Sequence, residues 1–327
     1  MKYRILGKTK LNVSEISLGT WQVGGKWGSD FDFKSAEKIL NTAIDSGINF
    51  IDTADVYSNK LSEKAVGKVV KSRSEEVYVA TKCGRQLQPH TNAAYKANVL
   101  RKFVEDSLSN LGLDRIDLIQ LHCPPIEVYY RPEIFDLFDR LTQEGKIRNY
   151  GVSVEKVEEA LKAIEYEGVS TVQIIFNMFR QRPSELFFKE AKAKNVGIIA
   201  RVPLASGLLT GKLNKDSIFE KEDHRFFNRD GAAFDKGETF SGIDYDLGLK
   251  AVEELRQLFN NQNLAQKALQ WILSFNEVSC IIPGASTVEQ LKSNIAATVA
   301  QPLSKNEIEA VNAIYSKYIK KEVHHFW

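Results

Sequence analysis

An aspartate and a tyrosine stand five residues apart, immediately after a short apolar run. The run at 49–51 predicts a buried strand, so Asp52 falls where that strand ends and Tyr57 lies in the polar connection to the next helix. Two further predicted strands end in ionisable residues, since Lys82 closes VYVATK and His122 closes IDLIQLH. If the three strands are neighbours and parallel, all four side chains belong to one site.

Each of these residues also has a plain structural interpretation. An aspartate at a strand end is usually a cap or a turn former, a loop tyrosine usually packs, and a lone histidine usually has a structural hydrogen bond. The set is more specific than its members, because an interior lysine is costly unless it is paired and Asp52 can pair with Lys82. The combination therefore favours a shared site.

Apolar runs and helical patterns alternate along the chain. Eight strands are predicted, at 15–18, 50–53, 77–82, 116–122, 147–153, 172–177, 196–203 and 278–283. Helices are predicted up to Gly47, at 62–70 with Ser62 as the cap, and at 97–111, 132–144, 155–165, 184–194, 264–275 and 288–296.

This alternation predicts a (β/α)8 TIM barrel formed by a single domain over 1–327, with an N-terminal β-hairpin around 7–9 and extra C-terminal helices and loops. A doubly wound open sheet is the alternative, but 19–28 lacks the G-x-G-x-x-G turn that such a fold normally carries. Active sites of barrels lie where the carboxyl ends of the strands converge. The aspartate, tyrosine, lysine and histidine are all predicted at that end.

Composition excludes several classes of partner. A formal net charge of +2, with no basic stripe interleaved with aromatic residues, gives no support for nucleic acid or membrane partners. The polar start MKYRILGKTK is not a secretory signal, and no apolar run reaches the length of a membrane span. The cysteines are three in number and lack metal spacing, which indicates free thiols in a reducing compartment. A cytoplasmic location is expected.

Several ordered motifs resemble those of the aldo-keto reductase superfamily. They run from LGKTKLNVSEISLGTW through FIDTADVY, VATK, LIQLH and GVS to VPLASGLLTGK and IPGASTVEQLKSN. The last two motifs resemble especially the bacterial and potassium-channel-β-like branch. The resemblance implies a TIM barrel that binds a nicotinamide cofactor across its carboxyl face, and a catalytic tetrad of Asp52, Tyr57, Lys82 and His122.

The chemistry of carbonyl reduction suits these four residues. A hydride must reach the carbon and a proton must reach the developing alkoxide, so the protein has to supply a positioned acid. Tyr57 is the expected acid, with its pKa lowered by the ammonium of Lys82, while Asp52 holds that ammonium and His122 orients the carbonyl oxygen. A Schiff-base aldolase that uses Lys82 is the rival interpretation.

The resemblance also implies a set of cofactor contacts. Ser153 and Gln173 match residues that hold the nicotinamide carboxamide, and Thr20 and Trp21 match a segment near its ribose. Further matches lie in the pyrophosphate loop and at the adenosine end: Val202, Pro203, Leu204, Ala205, Ser206, Gly207, Lys212, Gly284, Ser286, Gln290 and Asn294. Asp52 borders the same site.

Three departures from the pattern concern the cofactor. Arg201 stands where many relatives have an aromatic residue that stacks on the nicotinamide, and Val154 stands where many have asparagine. The Lys and Arg that hold a 2′-phosphate in other branches are replaced, so Arg225, or else Arg229, is expected to supply that charge. NADPH is the expected cofactor, with NADH possible.

Two remaining segments and a set of aromatic residues carry further expectations. The stretch 208–245 is too long for an ordinary connection and is interpreted as a lid or cofactor clasp, with a surface insertion as the alternative. The end EVHHFW either folds over the barrel or is disordered, and its two histidines are weak support for a metal, so none is predicted. Aromatic residues expected to wall the site of a small carbonyl substrate are Trp21, Trp27, Phe31, Tyr129 and Tyr130.

Two function classes remain. The first is a carbonyl reductase, and the second is a nicotinamide-binding regulatory or interaction subunit with little turnover. The complete tetrad favours catalysis. Whether the protein is a monomer or a homo-oligomer is undecided at this point.

Overall fold

Eight parallel strands follow one another in chain order around a closed barrel. The computed structural model describes residues 1–25 and 30–327. Every strand of the eight-stranded sheet pairs with its neighbours in sequence, and parallel bridges at Ile16–Ile281 and Gly19–Gly284 join the first strand to the last. The expected (β/α)8 fold is confirmed. The strands are β1 Tyr3–Ile5, β2 Asn12–Ser14, β3 Leu18–Gly19, β4 Phe50–Asp52, β5 Tyr78–Cys83, β6 Ile116–His122, β7 Ile147–Val154, β8 Val169–Ile175, β9 Gly197–Arg201 and β10 Val278–Ile281.

A two-stranded antiparallel hairpin, β1 with β2, closes the amino-terminal end of the barrel. Leu6 and Val13 of this hairpin are fully buried, and they cluster with strand residues such as Phe50. The turn between the two strands abuts the start of β9, where the amide of Lys8 donates to the carbonyl of Asn195 at 2.7 Å. Because this end is filled with apolar side chains, the opposite end is left for chemistry.

Helices cover the outside of the barrel and bury one apolar face each. In the helix that begins at Pro132, the buried residues are Ile134, Phe135, Leu137, Phe138 and Leu141. Proline is well placed at the first helical position, because that position needs no N–H donor within the helix. The helices are α1 Phe33–Asp45, α2 Leu61–Ser72, α3 Ala97–Leu111, α4 Pro132–Gln143, α5 Val157–Ala163, α6 Phe187–Ala193, α7 His224–Phe227, α8 Tyr245–Leu258, α9 Leu264–Leu273, α10 Val288–Ala296, α11 Lys305–Ile314 and α12 Lys320–Val323, with a π-helical turn at Tyr315–Ile319 before the last.

Several elements differ from the predicted ones. The first barrel strand was expected at 15–18, whereas β3 begins at Leu18 and only a single bridge at Ile16 precedes it. Strand β8 was expected at 172–177, whereas it begins about three residues earlier, at Val169, which pairs with Tyr150 of β7. Helix α8 was absent from the predicted set. Within 1–25 and 30–327, no helix has both the length and the apolar character needed to cross a membrane.

The long segment 208–245 folds against the end of the chain rather than away from it. The indole Nε1 of Trp327 donates to Asp235 at 2.8 Å, and the ring lies 3.9 Å below the guanidinium of Arg180. Arg180 in turn donates to the carbonyl of Ser241 at 3.1 Å. These three contacts form what we call the Trp327 latch, and they show that EVHHFW is folded.

Candidate active site

The carboxyl ends of β4, β5 and β6 bring Asp52, Lys82 and His122 to one face of the barrel. These strands are neighbours and parallel, as the motif spacing requires. The next two strands place further predicted residues beside them, since His122 of β6 pairs with Ser153 of β7 and Ser153 pairs with Gln173 of β8. Five predicted site residues therefore stand on five adjacent strands, one on each, and all belong to the face where barrel enzymes carry out chemistry.

Lys82 is buried and has all of its hydrogen-bonding capacity used. Its Nζ donates to Asp52 Oδ2 at 2.5 Å, to the carbonyl of Thr53 at 2.9 Å and to the phenol oxygen of Tyr57 at 3.1 Å. Burial lowers the pKa of Lys82, but Asp52 and then Tyr57 raise it, and the resulting pKa lies above the ordinary value. An ammonium with three acceptors has no lone pair to attack a carbonyl, which weighs against the Schiff-base interpretation.

Two glutamines donate hydrogen bonds to the second carboxylate oxygen of Asp52. Oδ1 accepts from Gln173 Nε2 at 2.8 Å and from Gln120 Nε2 at 3.2 Å. Sequence reasoning missed Gln120, although it lies two residues before His122 and therefore faces the same side of β6. Since both bonds to Asp52 use amide nitrogens, the amide oxygen of Gln173 stays available to accept a hydrogen bond.

Tyr57 lies between Lys82, His122 and Trp21. Its ring is 6.1 Å from the imidazole of His122 and 6.2 Å from the indole of Trp21, centre to centre. Burial raises the pKa of Tyr57 and the nearby Lys82 lowers it, with a net pKa above the ordinary value. The expected lowering of this pKa is therefore wrong for the protein alone, because removal of the phenolate from water outweighs the ammonium. The phenol keeps its proton.

His122 is a neutral imidazole. Burial comes first among the causes that lower its pKa well below the ordinary value, followed by the charges of Arg85, Lys82 and Arg201. Its Nδ1 makes no hydrogen bond to any residue in the described part of the chain. A neutral ring of this kind can donate a hydrogen bond to an oxygen, but it does not carry the charge of a strong acid.

Ser62 does not cap α2 as predicted. The residue before the helix is Lys60, in the left-handed region at φ 72°, and it makes no side-chain cap. Ser62 lies inside the first turn, and its hydroxyl bonds to the hydroxyls of Thr53 at 2.9 Å and Thr20 at 2.8 Å. The connection that carries Tyr57 is thereby tied to the first barrel strand.

A cavity of about 650 Å³ runs across this face of the barrel. Most of the residues predicted to hold a cofactor line it: Thr20, Trp21, Asp52, Ser153, Gln173, Arg201, Val202, Pro203, Leu204, Ser206, Gly207, Lys212, Arg225, Gly284, Gln290 and Asn294. Ala205 is instead fully buried beneath the loop. Ser286 lies behind Gln290, donating from its amide and hydroxyl to Gln290 Oε1 at 2.8 and 3.0 Å.

The aromatic wall differs from the predicted one. Trp21 lines the cavity and Phe234, from the long segment, joins it. Tyr129 is fully buried in the core, and Tyr130 is 64% exposed, so neither faces the cavity. Phe31 does not line the cavity, and Trp27 lies outside the described residues.

Four charged residues form a cluster beside the cavity, and sequence reasoning identified only Arg201. Arg201 Nη2 lies 2.7 Å from Glu155 Oε2, and Nη1 lies 3.8 Å from Glu238 Oε2. Arg85 Nη1 donates to Glu238 Oε1 at 3.2 Å. The two terminal nitrogens of Arg201 therefore face the carboxyl groups of Glu155 and Glu238. Glu238 reaches this cluster from the long segment, and no strand pattern marks it.

Carboxyl oxygens of Glu155 and Glu238 and the sulfur of Cys123 lie within 4.8 Å of one another, which is a spacing that metal ions accept. Arg201 Nη2 already contacts two of the three groups, at 2.7 Å from Glu155 and 3.6 Å from Cys123 Sγ. A guanidinium therefore supplies the positive charge at this point.

The two arginines expected near the adenosine differ in their relation to the cavity. Arg225 lines the cavity, but its Nε and Nη2 already donate to Asp223, at distances between 2.6 and 3.1 Å. Arg229 does not line the cavity, and its guanidinium lies over the rings of Phe219, Phe240 and Tyr245. Of the two arginines proposed from the sequence, Arg225 is the one that lines the cavity.

A parallel barrel with a buried ammonium, a carboxylate, a phenol and an imidazole at its carboxyl face has the organisation of a barrel enzyme. The model of the aldo/keto reductase family matches residues 15–316. The chain therefore belongs to the aldo/keto reductase family, and it is an NAD(P)H-dependent oxidoreductase like the members of that family.

Individual relatives agree with this assignment. The chain is 31% identical to the uncharacterized oxidoreductase YqkF of Bacillus subtilis, with 96% of each chain covered. It is 29% identical to a probable voltage-gated potassium channel subunit beta of Arabidopsis thaliana, with 93% of each covered. Among solved structures, the holo form of aldo-keto reductase AKR11C1 from Bacillus halodurans matches with a TM-score of 0.78 at 28% identity, over 96% of both chains. The resemblance to the bacterial and potassium-channel-β-like branch is confirmed.

Proposed function

We propose that this protein reduces the carbonyl group of a small molecule to an alcohol with NADPH, and that Tyr57 donates the proton. The observation that carries the proposal is the chain of hydrogen bonds from Asp52 through Lys82 to the Tyr57 oxygen. It begins in the barrel interior and ends at the cavity. The bound nicotinamide supplies the hydride in this reaction.

Tyr57 is suited to hold the proton until it is needed. Lys82 donates to the phenol oxygen at 3.1 Å, so the phenol's own hydrogen is left to point into the cavity. As that hydrogen moves to the developing alkoxide, the phenolate that remains is stabilised by the ammonium. Asp52 keeps the ammonium charged and in place. Lys82 and Asp52 therefore stabilise the transition state, in which negative charge develops on the Tyr57 oxygen, more than the ground state.

His122 is proposed to hold the carbonyl oxygen rather than to protonate it. Its lowered pKa keeps it neutral, which suits a hydrogen-bond donor. The imidazole N–H of His122 would donate to the carbonyl oxygen of the substrate and hold it beside Tyr57. The rings of His122 and Tyr57 line the same cavity and lie 6.1 Å apart.

The residues along the cavity fit a nicotinamide cofactor. The free amide oxygen of Gln173 and the hydroxyl of Ser153 suit the carboxamide. The segment from Val202 to Gly207 suits the pyrophosphate, because Ser206 and Gly207 turn the backbone at φ 54° and 100°. At the other end Gly284, Gln290 and Asn294 would hold the adenosine, with Ser286 acting through Gln290. Lys212 and Arg225 would supply the positive charge that favours NADPH, and NADH remains usable.

A second candidate function is that of a nicotinamide-binding regulatory subunit with little turnover. It is favoured by the similarity to a probable potassium channel subunit beta. The two functions differ in rate rather than in binding, so turnover separates them.

The test follows nicotinamide absorbance with a panel of aldehydes and ketones, with NADPH and NADH in parallel. We expect turnover by the wild type and loss of most of it in Tyr57→Phe, which keeps the ring and loses only the proton donor. Tyr130→Phe removes a hydroxyl from a 64% exposed residue and should leave turnover unchanged. Undiminished turnover in Tyr57→Phe would contradict the assigned role, and cofactor binding without turnover in the wild type would support the regulatory function.

A further inference from the structure

One arginine of the cavity wall has no part in the proposed reduction. Arg85 follows β5 and stands three residues after Lys82. Gly84 makes the turn that directs it, at φ 103°, where a Cβ would lie 3.0 Å from the ring of Tyr95. The side chain of Arg85 is 21% exposed and lines the same cavity as Tyr57 and His122.

The guanidinium of Arg85 is only partly used. Nη1 donates to Glu238 at 3.2 Å and lies 4.0 Å from Glu155. Phe234 covers one side of the group, with the ring centre 5.6 Å away. Among the described residues no acceptor bonds to Nε or Nη2, so these nitrogens keep their hydrogens for a ligand in the cavity. A partly exposed guanidinium against an aromatic ring is well placed for recognition of a planar anion.

The charges around Arg85 leave an excess of positive charge. Two cations, Arg85 and Arg201, face two carboxyl groups that lie within 4.8 Å of each other. Burial raises the pKa of Glu155 to about 8, although Arg201 opposes this, so folding favours the protonated form of Glu155. Burial also acts on Glu238, but Arg201 and Arg85 lower its pKa below the ordinary value and keep it charged. Two guanidinium groups therefore face one charged carboxylate and a second carboxyl group whose ionisation is opposed by burial, while Lys82 and Asp52 cancel each other.

We propose that Arg85 binds a carboxylate of the substrate, so that the preferred substrates are aldehydes or ketones that also carry a carboxylate. This inference rests on the proposed carbonyl reduction. Arg85 would offer two donors in its fixed fork to the carboxylate, while Tyr57 and His122 hold the carbonyl oxygen elsewhere in the same cavity. A neutral sugar-like substrate would gain much less from the excess charge.

The first test measures binding without turnover. Benzoate and benzamide have nearly the same shape and differ in charge, and Trp21 in the cavity wall provides a fluorescence signal. We expect benzoate to bind at least about tenfold more tightly than benzamide, in the range of one charged hydrogen bond. Arg85→Gln should remove this difference. Arg101→Gln, which changes an arginine paired with Glu144 on the surface, should keep it.

The second test measures turnover with 3- and 4-carboxybenzaldehyde against 3- and 4-carbamoylbenzaldehyde. We expect a higher kcat/KM for at least one carboxylate, and a selective loss of that advantage in Arg85→Gln. If the carbamoyl compounds are reduced as well as the carboxylates, carbonyl reduction stands and the role of Arg85 is wrong. If benzoate selectivity depends on Arg85 but no aldehyde is reduced, the carboxylate site stands and the proposed reduction fails for these compounds. Equal binding of benzoate and benzamide overturns the inference.

Discussion

The ammonium of Lys82 and the phenol oxygen of Tyr57 lie 3.1 Å apart, with the ammonium as the donor. The same nitrogen lies 4.8 Å from the centre of the tyrosine ring. Because Lys82 is also bonded to Asp52 and to the Thr53 carbonyl, it cannot turn away from the phenol without breaking buried bonds. This fixed contact favours a role for Lys82 as the cation that stabilises the Tyr57 phenolate over a role as a Schiff-base nucleophile.

Replacement of Lys82 by methionine should remove nearly all turnover. The substitution keeps most of the length of the side chain but leaves Asp52 without its cation, and the phenolate of Tyr57 without its stabilising charge. Steady-state rates with a good carbonyl substrate give the loss, and a matched Lys64→Met change on helix α2 provides the control.

Borohydride trapping decides between the two roles of Lys82. With a carbonyl substrate present, wild-type protein should show no added mass at Lys82, since all three of its hydrogens are engaged. A covalent adduct at this residue would support the aldolase interpretation instead.

Arg225→Ala should weaken NADPH more than NADH. A charged hydrogen bond is worth about 1.5 to 3 kcal/mol, so the Kd for NADPH should rise roughly tenfold or more. Asp223 already pairs with Arg225, and the phosphate would have to share that guanidinium. Titration of both cofactors into wild type, Arg225→Ala and Arg229→Ala measures the effect. Equal weakening of both cofactors, or of neither, would show that Arg225 does not bind the 2′-phosphate.

The pKa of Glu155 predicts a dependence of stability on pH. Burial raises that pKa from 4.5 to about 8, so folding favours the protonated form. The contribution to stability is fully present below the unfolded pKa and is lost as the pH rises through about 8. Glu238 shifts in the opposite direction, and its contribution is lost only as the pH falls into the acid range.

Thermal unfolding at about pH 6 and about pH 9 tests this assignment. The fall in Tm between the two values should be smaller by a few degrees in Glu155→Gln, whose amide does not titrate. Glu165→Gln changes an exposed carboxylate and should behave as the wild type. An unchanged fall in Glu155→Gln would mean that Glu155 is already ionised at neutral pH.

Trp327→Ala should destabilise the protein by about 3 kcal/mol, because it removes a large buried side chain. It should also raise the KM for substrate, since Asp235 of the Trp327 latch lies three residues before Glu238 of the cavity wall. Phe326→Ala is the matched control, because this neighbour is 54% exposed and should change stability by less than about 0.5 kcal/mol. Equal effects of the two changes on unfolding and on KM would contradict the latch.

The barrel and the tetrad could be predicted because both follow from local patterns. Strands ending in Asp52, Lys82 and His122 must place those residues together once the strands are parallel neighbours. Helix α8 has a similar signal, with Asp244 accepting from the amide of Leu247 at 2.9 Å, but Gly248 interrupts the apolar pattern. In the fold a Cβ at this position would lie 2.9 Å from the Cδ1 atoms of Leu208 and Ile243, so these two side chains would have to shift.

The partners of Arg201 could not be predicted in this way. Glu238 reaches the cluster only because the long segment folds back under the Trp327 latch, and no periodic pattern describes such a contact. The raised pKa of Tyr57 could not be predicted from the sequence either, because it depends on how far the phenol is removed from water in the fold. The sequence shows which charges are present, whereas their net effect requires the three-dimensional burial.

The bridges that close the barrel have a consequence for its durability. The first and last strands meet through a short seam, with the amide of Ile281 bonded to Glu15 at 2.9 Å and the amide of Gly19 bonded to Pro283 at 3.2 Å. Thr20 and Gly284 lie on opposite sides of this seam, and both line the cavity. A dinucleotide bound across them would act as a staple over the joint. Occupancy at about 100 times the Kd would add about 2.7 kcal/mol to the free energy of unfolding, so the seam would resist opening most when the cofactor is plentiful.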